Sequence, residues 1–170
     1  MDSGGGYLVE EDSQTTDDIH NRTRRHLEEQ EIDRLDNMTM QIQRKFRKRT
    51  RPTGYQSLSE LWQDFVPLVE ASLELSPPQA IQRMLNLTSY FYDFCHAYRA
   101  DTEQYELKEY FEFLENAWIQ LFQEQHGMTD RIRALNVLRD GHDQAADVFG
   151  IPDALNRALQ AALPKDLETR

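Results

Sequence analysis

The sequence predicts an all-α protein: a compact bundle of about five helices over residues 53–170, preceded by a long N-terminal helical arm over 15–52 and a disordered acidic tail over 1–14. Three observations carry this prediction. Apolar residues recur at spacings of three and four from Ile32 to Leu163, the period of one helix face. No window alternates with the two-residue period of a strand. Proline, glycine and capping residues fall mostly between the periodic stretches. Eleven of the 17 aromatic residues lie between Ala80 and His126, which centres the predicted core on the two helices expected there.

The tail combines Gly4–Gly6 with Glu10, Glu11 and Asp12 and offers little to bury beyond Tyr7, Leu8 and Val9, a composition that does not support a packed core. From Thr15 to Arg49 there is no proline or glycine. Thr15, Thr16, Asp17 and Asp18 supply a cap and first-turn carboxylates. Ile32, Leu35, Met38, Ile42 and Phe46 fall on one narrow stripe of this helix. A helix of some 35 residues spans roughly 50 Å, so the arm is expected to project and to use the stripe as an interface, with a second copy or another protein. The arm ends in Arg44, Lys45, Arg47, Lys48, Arg49 and Arg51, before Pro52-Thr53-Gly54 stops the helix.

In the bundle, Ser57 and Glu60 form a capping-box pattern ahead of Leu58, Leu61, Trp62, Phe65, Val69 and Leu73, with Pro67 kinking or dividing that helix. Ser76-Pro77-Pro78 opens a helix running to about Ala100 that is apolar on nearly all sides and belongs in the middle of the bundle. Its partner, about Thr102 to His126, buries Leu107, Phe111, Leu114, Trp118, Leu121 and Phe122, with Gly127 as its stop and Thr129 as the next cap. Ile132, Leu135, Leu138, His142, Ala145 and Phe149 make the next stripe. Pro152 opens a short last helix with Leu155, Leu159 and Leu163 in one seam.

Composition narrows the function classes. A net charge of −11 argues against a general nucleic-acid coat, but the charge is unevenly spread. Residues 1–36 hold 11 acidic and 4 basic side chains, whereas residues 37–52 hold six basic and none acidic. The dipole at a helix C-terminus accounts for two or three of those six; the surplus points to a polyanion, whether nucleic acid, an acidic protein or anionic lipid. Phe46 interrupts the block, so the cations fan around the helix and do not line one DNA groove. The single cysteine, Cys95, lies in the apolar pattern and cannot form an internal disulfide, which with the absence of a signal-like start reads as cytoplasmic. No stretch approaches the length of a membrane span.

Four constellations invite chemistry. Glu112 with Glu115 and Asp140 with Asp143 are carboxylate pairs at i and i+3 on neighbouring helices, a pattern able to hold Mg²⁺. They resemble the ExxE and ExxD pairs of the all-α nucleotide pyrophosphohydrolases, with Asp140 where those enzymes have a glutamate. That resemblance implies Mg²⁺-dependent nucleotide hydrolysis; because Glu106, Glu109, Glu112 and Glu115 all fall three apart, a solvated face accounts for the same residues. His142, flanked by Asp140 and Asp143, reads as a base or as a core-edge histidine. Asp93 and His96 lack the Glu-x-x-His partners of a ferritin-like di-iron site, so no metal or cofactor is expected. Residues 144–159, with Ala146, Phe149, Gly150 and Ile151, look like a helix-turn-helix. Leu155 comes one place early for that motif, and only Arg157 would face DNA, so a packing corner is the preferred reading.

The expectation is therefore a non-enzymatic interaction, adaptor or assembly protein that self-associates through its arm. A nucleic-acid-associated regulator, using residues 44–51 as a phosphate clamp, is the alternative.

Overall fold

The computed structural model describes the backbone of residues 5–164 and the side chains of residues 14–164. Among these residues the chain is all-helical: α1 (Gly5–Arg47), α2 (Leu58–Leu73), α3 (Pro77–Ala97), a 3₁₀ turn (Arg99–Asp101), α4 (Gln104–Leu121), α5 (Met128–Asp147) and α6 (Asn156–Ala162). Of the acidic tail expected over 1–14, residues 1–4 lie outside the described residues, as do the side chains of 5–13. The chain divides into two units, residues 1–38 and 39–170.

In the first unit, every side chain from Gln14 to Leu27 is exposed. Along this helix Thr23 Oγ1 donates to the Ile19 carbonyl at 2.9 Å and, beyond the exposed stretch, the Arg34 guanidinium grips Glu31.

The second unit is built around α3, the helix predicted to be apolar on nearly all sides. It packs against α2, α4 and α5, while α6 closes the far side by packing on α4 and α5. Phe65, Phe91, Phe94, Phe111 and Trp118 are each at most 2 % exposed; at roughly 1.5–3 kcal/mol per buried large apolar side chain, they dominate its hydrophobic term. Polar groups inside are paired. The Trp118 indole N–H donates to Thr88 Oγ1 at 3.0 Å, and the Tyr92 hydroxyl to the Val137 carbonyl at 2.8 Å. Gly141 makes the second bond possible, because a Cβ there would overlap the Tyr92 ring and hydroxyl.

Local boundaries follow from residue chemistry, with corrections. Ser57 caps α2 by accepting the Glu60 N–H at 3.1 Å, but the Glu60 carboxylate reaches the N–H of Gln56, one residue beyond the expected box. Pro67 is carried inside α2 at an exposed position, at the cost of one backbone hydrogen bond. Gly127 is the N-cap of α5, not the stop of α4, which already ends at Leu121. Ile132 is 49 % exposed although it fits the α5 stripe. The last helix begins only at Asn156 and buries Ala158 and Ala162, with Leu159 and Leu163 half-buried.

Candidate polyanion-binding surface

The second unit takes in the last turns of α1. Phe46 packs edge-on to Phe94, with ring centroids 4.8 Å apart, and lies 6.0 Å from Tyr98. Ile42 is buried. Two positions of the predicted stripe are thus covered within this unit, Ile42 fully and Phe46 in part. The physical reason is the aromatic end of α3, which provides Phe46 with a partner in its own chain.

Beyond Arg47 the chain turns sharply. Arg49 N–H donates to the Phe46 carbonyl, Arg51 N–H to Lys48 and Gly54 N–H to Arg51. Gly54 sits where a Cβ would collide with the Lys48 carbonyl, so glycine is what lets the turn close on the helix end. Gln56 Nε2 donates to the Arg51 and Gly54 carbonyls at 2.7 and 3.0 Å. The turn is then tied to the bundle, since Tyr55 N–H donates to the Lys45 carbonyl and the Tyr98 hydroxyl donates to the Tyr55 carbonyl.

The six cations are mounted on this braced frame. Lys45 Nζ lies 4.5 Å from the centre of the Tyr55 ring and Arg49 Cζ 4.4 Å from that of Phe46, cation–π contacts that fix position without neutralising charge. Arg44, Arg47, Lys48 and Arg51 are exposed. Among the described residues none of the six forms an ion pair. Two acidic side chains of α2 are committed elsewhere: Asp64 accepts the Tyr55 hydroxyl at 2.7 Å and Glu60 the Gln56 N–H. Burial, reinforced by Asp64, pushes the Tyr55 hydroxyl far above its ordinary range.

The other predicted constellations are dispersed. Glu115 is buried and accepts the N–H groups of Arg157 and Ala158 at 2.9 and 3.3 Å and the Arg157 guanidinium at 3.1 Å. Glu112 is exposed, and Asp140 accepts Gln144 Nε2. Among the described residues no group of three or more His, Cys, Asp or Glu side chains could hold a metal ion, so the four carboxylates likened to the pyrophosphohydrolase pairs are not brought together. His142 Nδ1 is 2.8 Å from the Ala154 carbonyl; a carbonyl only accepts, so the proton is on Nδ1 and the ring staples α5 to the loop before α6. His96 meets Gln144 at 2.6 Å, and no ligand set forms around Asp93.

The stretch likened to a helix-turn-helix is a packing corner. Gly150 and Leu155 both have positive φ, 70° and 65°, and α6 is a seven-residue helix whose first N–H groups are occupied by Glu115. Sequence reasoning missed the Glu115–Arg157 lock because an ExxE repeat looks solvated until the helix that covers it is placed. The one clue was that Glu115 lies a turn from Phe111 and Trp118 on the apolar side of α4. Cys95 is buried with its thiol pushed well above the usual range by burial. No helix among the described residues is long and apolar enough to cross a membrane.

No protein-family model, curated protein or solved structure matches this chain.

Proposed function

We propose that this is a non-enzymatic cytoplasmic binding protein that grips a polyanion, nucleic acid in the first instance, through Arg44, Lys45, Arg47, Lys48, Arg49 and Arg51. The observation that carries the reading is the set of six cations on one braced helix end with no ion pair among the described residues. The helix end accounts for two or three of the six, since Arg47 and Arg49 donate to the Gln43 and Phe46 carbonyls at 3.4 and 3.1 Å, and the surplus is what a polyanion would use. Because the charges fan around the helix end, the contact is to phosphates and not to base edges. Fluorescence anisotropy with a labelled single-stranded oligonucleotide tests it. Changing all six to glutamine abolishes binding on this reading, and unchanged affinity in that variant refutes it.

A second reading concerns the first unit. Residues 14–27 are helical yet exposed throughout, including Ile19 at 56 % and Leu27 at 59 %. Helices in proteins owe most of their stability to packing of one face, so this segment is proposed to pair with another chain, a second copy being the simplest. Light scattering coupled to size exclusion, with and without residues 1–31, checks it; a monomeric full chain at micromolar concentration rules out self-pairing.

A further inference from the structure

A cavity of about 310 Å³ opens between α4 and the segment that leads from α5 into α6, and its lining combines two chemistries. One part is apolar: Phe111, Ile151 and Leu155, all buried. The other is charged with both signs: Lys108 and Glu112, one turn apart on α4, Asp153 on the loop, and Glu115 with Arg157, which neutralise each other in an ion pair. Lys108, Glu112 and Asp153 are exposed, and among the described residues none of their side chains has a hydrogen bond or an ion pair. Lys108 and Glu112 stand at i and i+4, where opposite charges ordinarily bridge. Here they remain apart, each with free donor or acceptor capacity at the cavity.

The frame of the cavity is held rigidly. Leu155 adopts the left-handed conformation, φ 65° and ψ 9°, which is costly for a bulky side chain. It is kept there by burial to 1 % exposure and by the His142 bond to the preceding carbonyl. The wall opposite is fixed by Glu115 on the N–H groups of Arg157 and Ala158. A rigid, partly apolar hollow with a few free polar groups is the ordinary make-up of a small-molecule site, and this volume lies near the lower limit of about 300 Å³ for such sites.

We propose that this cavity binds a small zwitterion with an apolar side chain, of the α-amino-acid type: its carboxylate on Lys108, its ammonium on Glu112 and Asp153, its side chain against Phe111 and Ile151. The pairing of signs selects the class. A simple anion would gain from Lys108 and be repelled by two carboxylates, and a simple cation would leave Lys108 uncompensated, whereas a zwitterion satisfies all three. The site is separate from the basic surface, so oligonucleotide binding and this binding succeed or fail independently.

The test is thermal denaturation and titration calorimetry of the full chain with L-leucine and L-phenylalanine, alongside N-acetyl-leucine and leucine amide. The free amino acids are expected to raise the melting temperature saturably, and both blocked forms to fail. Asp153→Asn and Lys108→Gln, both at exposed positions, are expected to weaken binding at least tenfold while leaving the circular dichroism and the ligand-free melting temperature unchanged. Absence of any shift with either amino acid, equal response to the blocked forms, or full affinity in the D153N/K108Q double variant would overturn the proposal.

Discussion

Gly141→Ala is predicted to destabilise the bundle even though alanine is the better helix former. On an open helix face the change would gain about 1 kcal/mol. At residue 141 the new methyl would occupy the space of the Tyr92 hydroxyl and ring edge. Tyr92 has little room to retreat: it is 4 % exposed, with its ring near-parallel to that of Phe111 at 6.4 Å and 6.0 Å from that of Phe91. Overpacking of this kind costs about 1–3 kcal/mol. Pulling the hydroxyl off the Val137 carbonyl leaves buried polar groups unpaired, at about 1–3 kcal/mol more. Against the helix gain of about 1 kcal/mol, the net loss is about 1–5 kcal/mol, centred near 3. Urea unfolding followed by circular dichroism measures it, and with a slope of about 1–3 kcal/mol per molar the midpoint falls by roughly 1 M or more. Tyr92→Phe removes the atom in closest conflict, so the double variant is predicted to be less destabilised than the two single losses added together. A Gly141→Ala protein as stable as the parent would refute the reasoning.

Further outcomes follow from the same interior. Thr88→Val strands the Trp118 N–H and is expected to cost about 1–3 kcal/mol by the same unfolding assay, whereas Thr102→Val, at a half-buried position, is expected to cost less. Burial holds the Tyr92 hydroxyl protonated far above its ordinary value. The unfolded chain releases that proton from about pH 10 upward, so the folded state binds more protons there and stability, fully present below pH 10, falls as pH rises beyond it. Tyr92→Phe should flatten this alkaline slope; an unchanged slope contradicts the assignment. Cys95, with 0 % exposure and a raised thiol, should react with a thiol reagent only as the bundle unfolds, and stoichiometric labelling of the native protein would count against its burial.

What could be read from the sequence was set by whether a signal is local. The aromatic density of α3, the cap at Ser57 and the break around Asp101 are local, and each stands where periodicity and turn chemistry put it. Gly141 was unreadable because its reason is Tyr92, 49 residues away on another helix. Leu155 in a left-handed conformation carries no sequence mark at all, since glycine or asparagine would be the expected residue. Glu115 read as one of a solvated series because its partner lies 42 residues on. The arm stripe was read correctly as apolar and helical, but periodicity does not say who covers it, and Phe46 found Phe94. The six cations were legible as charge; their freedom from ion pairs became visible only with the carboxylates of α2 in place.

Salt dependence of oligonucleotide binding tests the polyanion reading most directly. With six phosphates engaged on a single strand, the logarithm of affinity should fall against the logarithm of salt concentration with a slope of about −4, from about 0.7 per contact. Replacing Arg44 and Arg47 by glutamine should reduce the magnitude of that slope by roughly one to one and a half, with affinity lowered alike across sequences. A slope near zero in the intact protein, or a slope untouched by those replacements, would contradict the assignment of this surface.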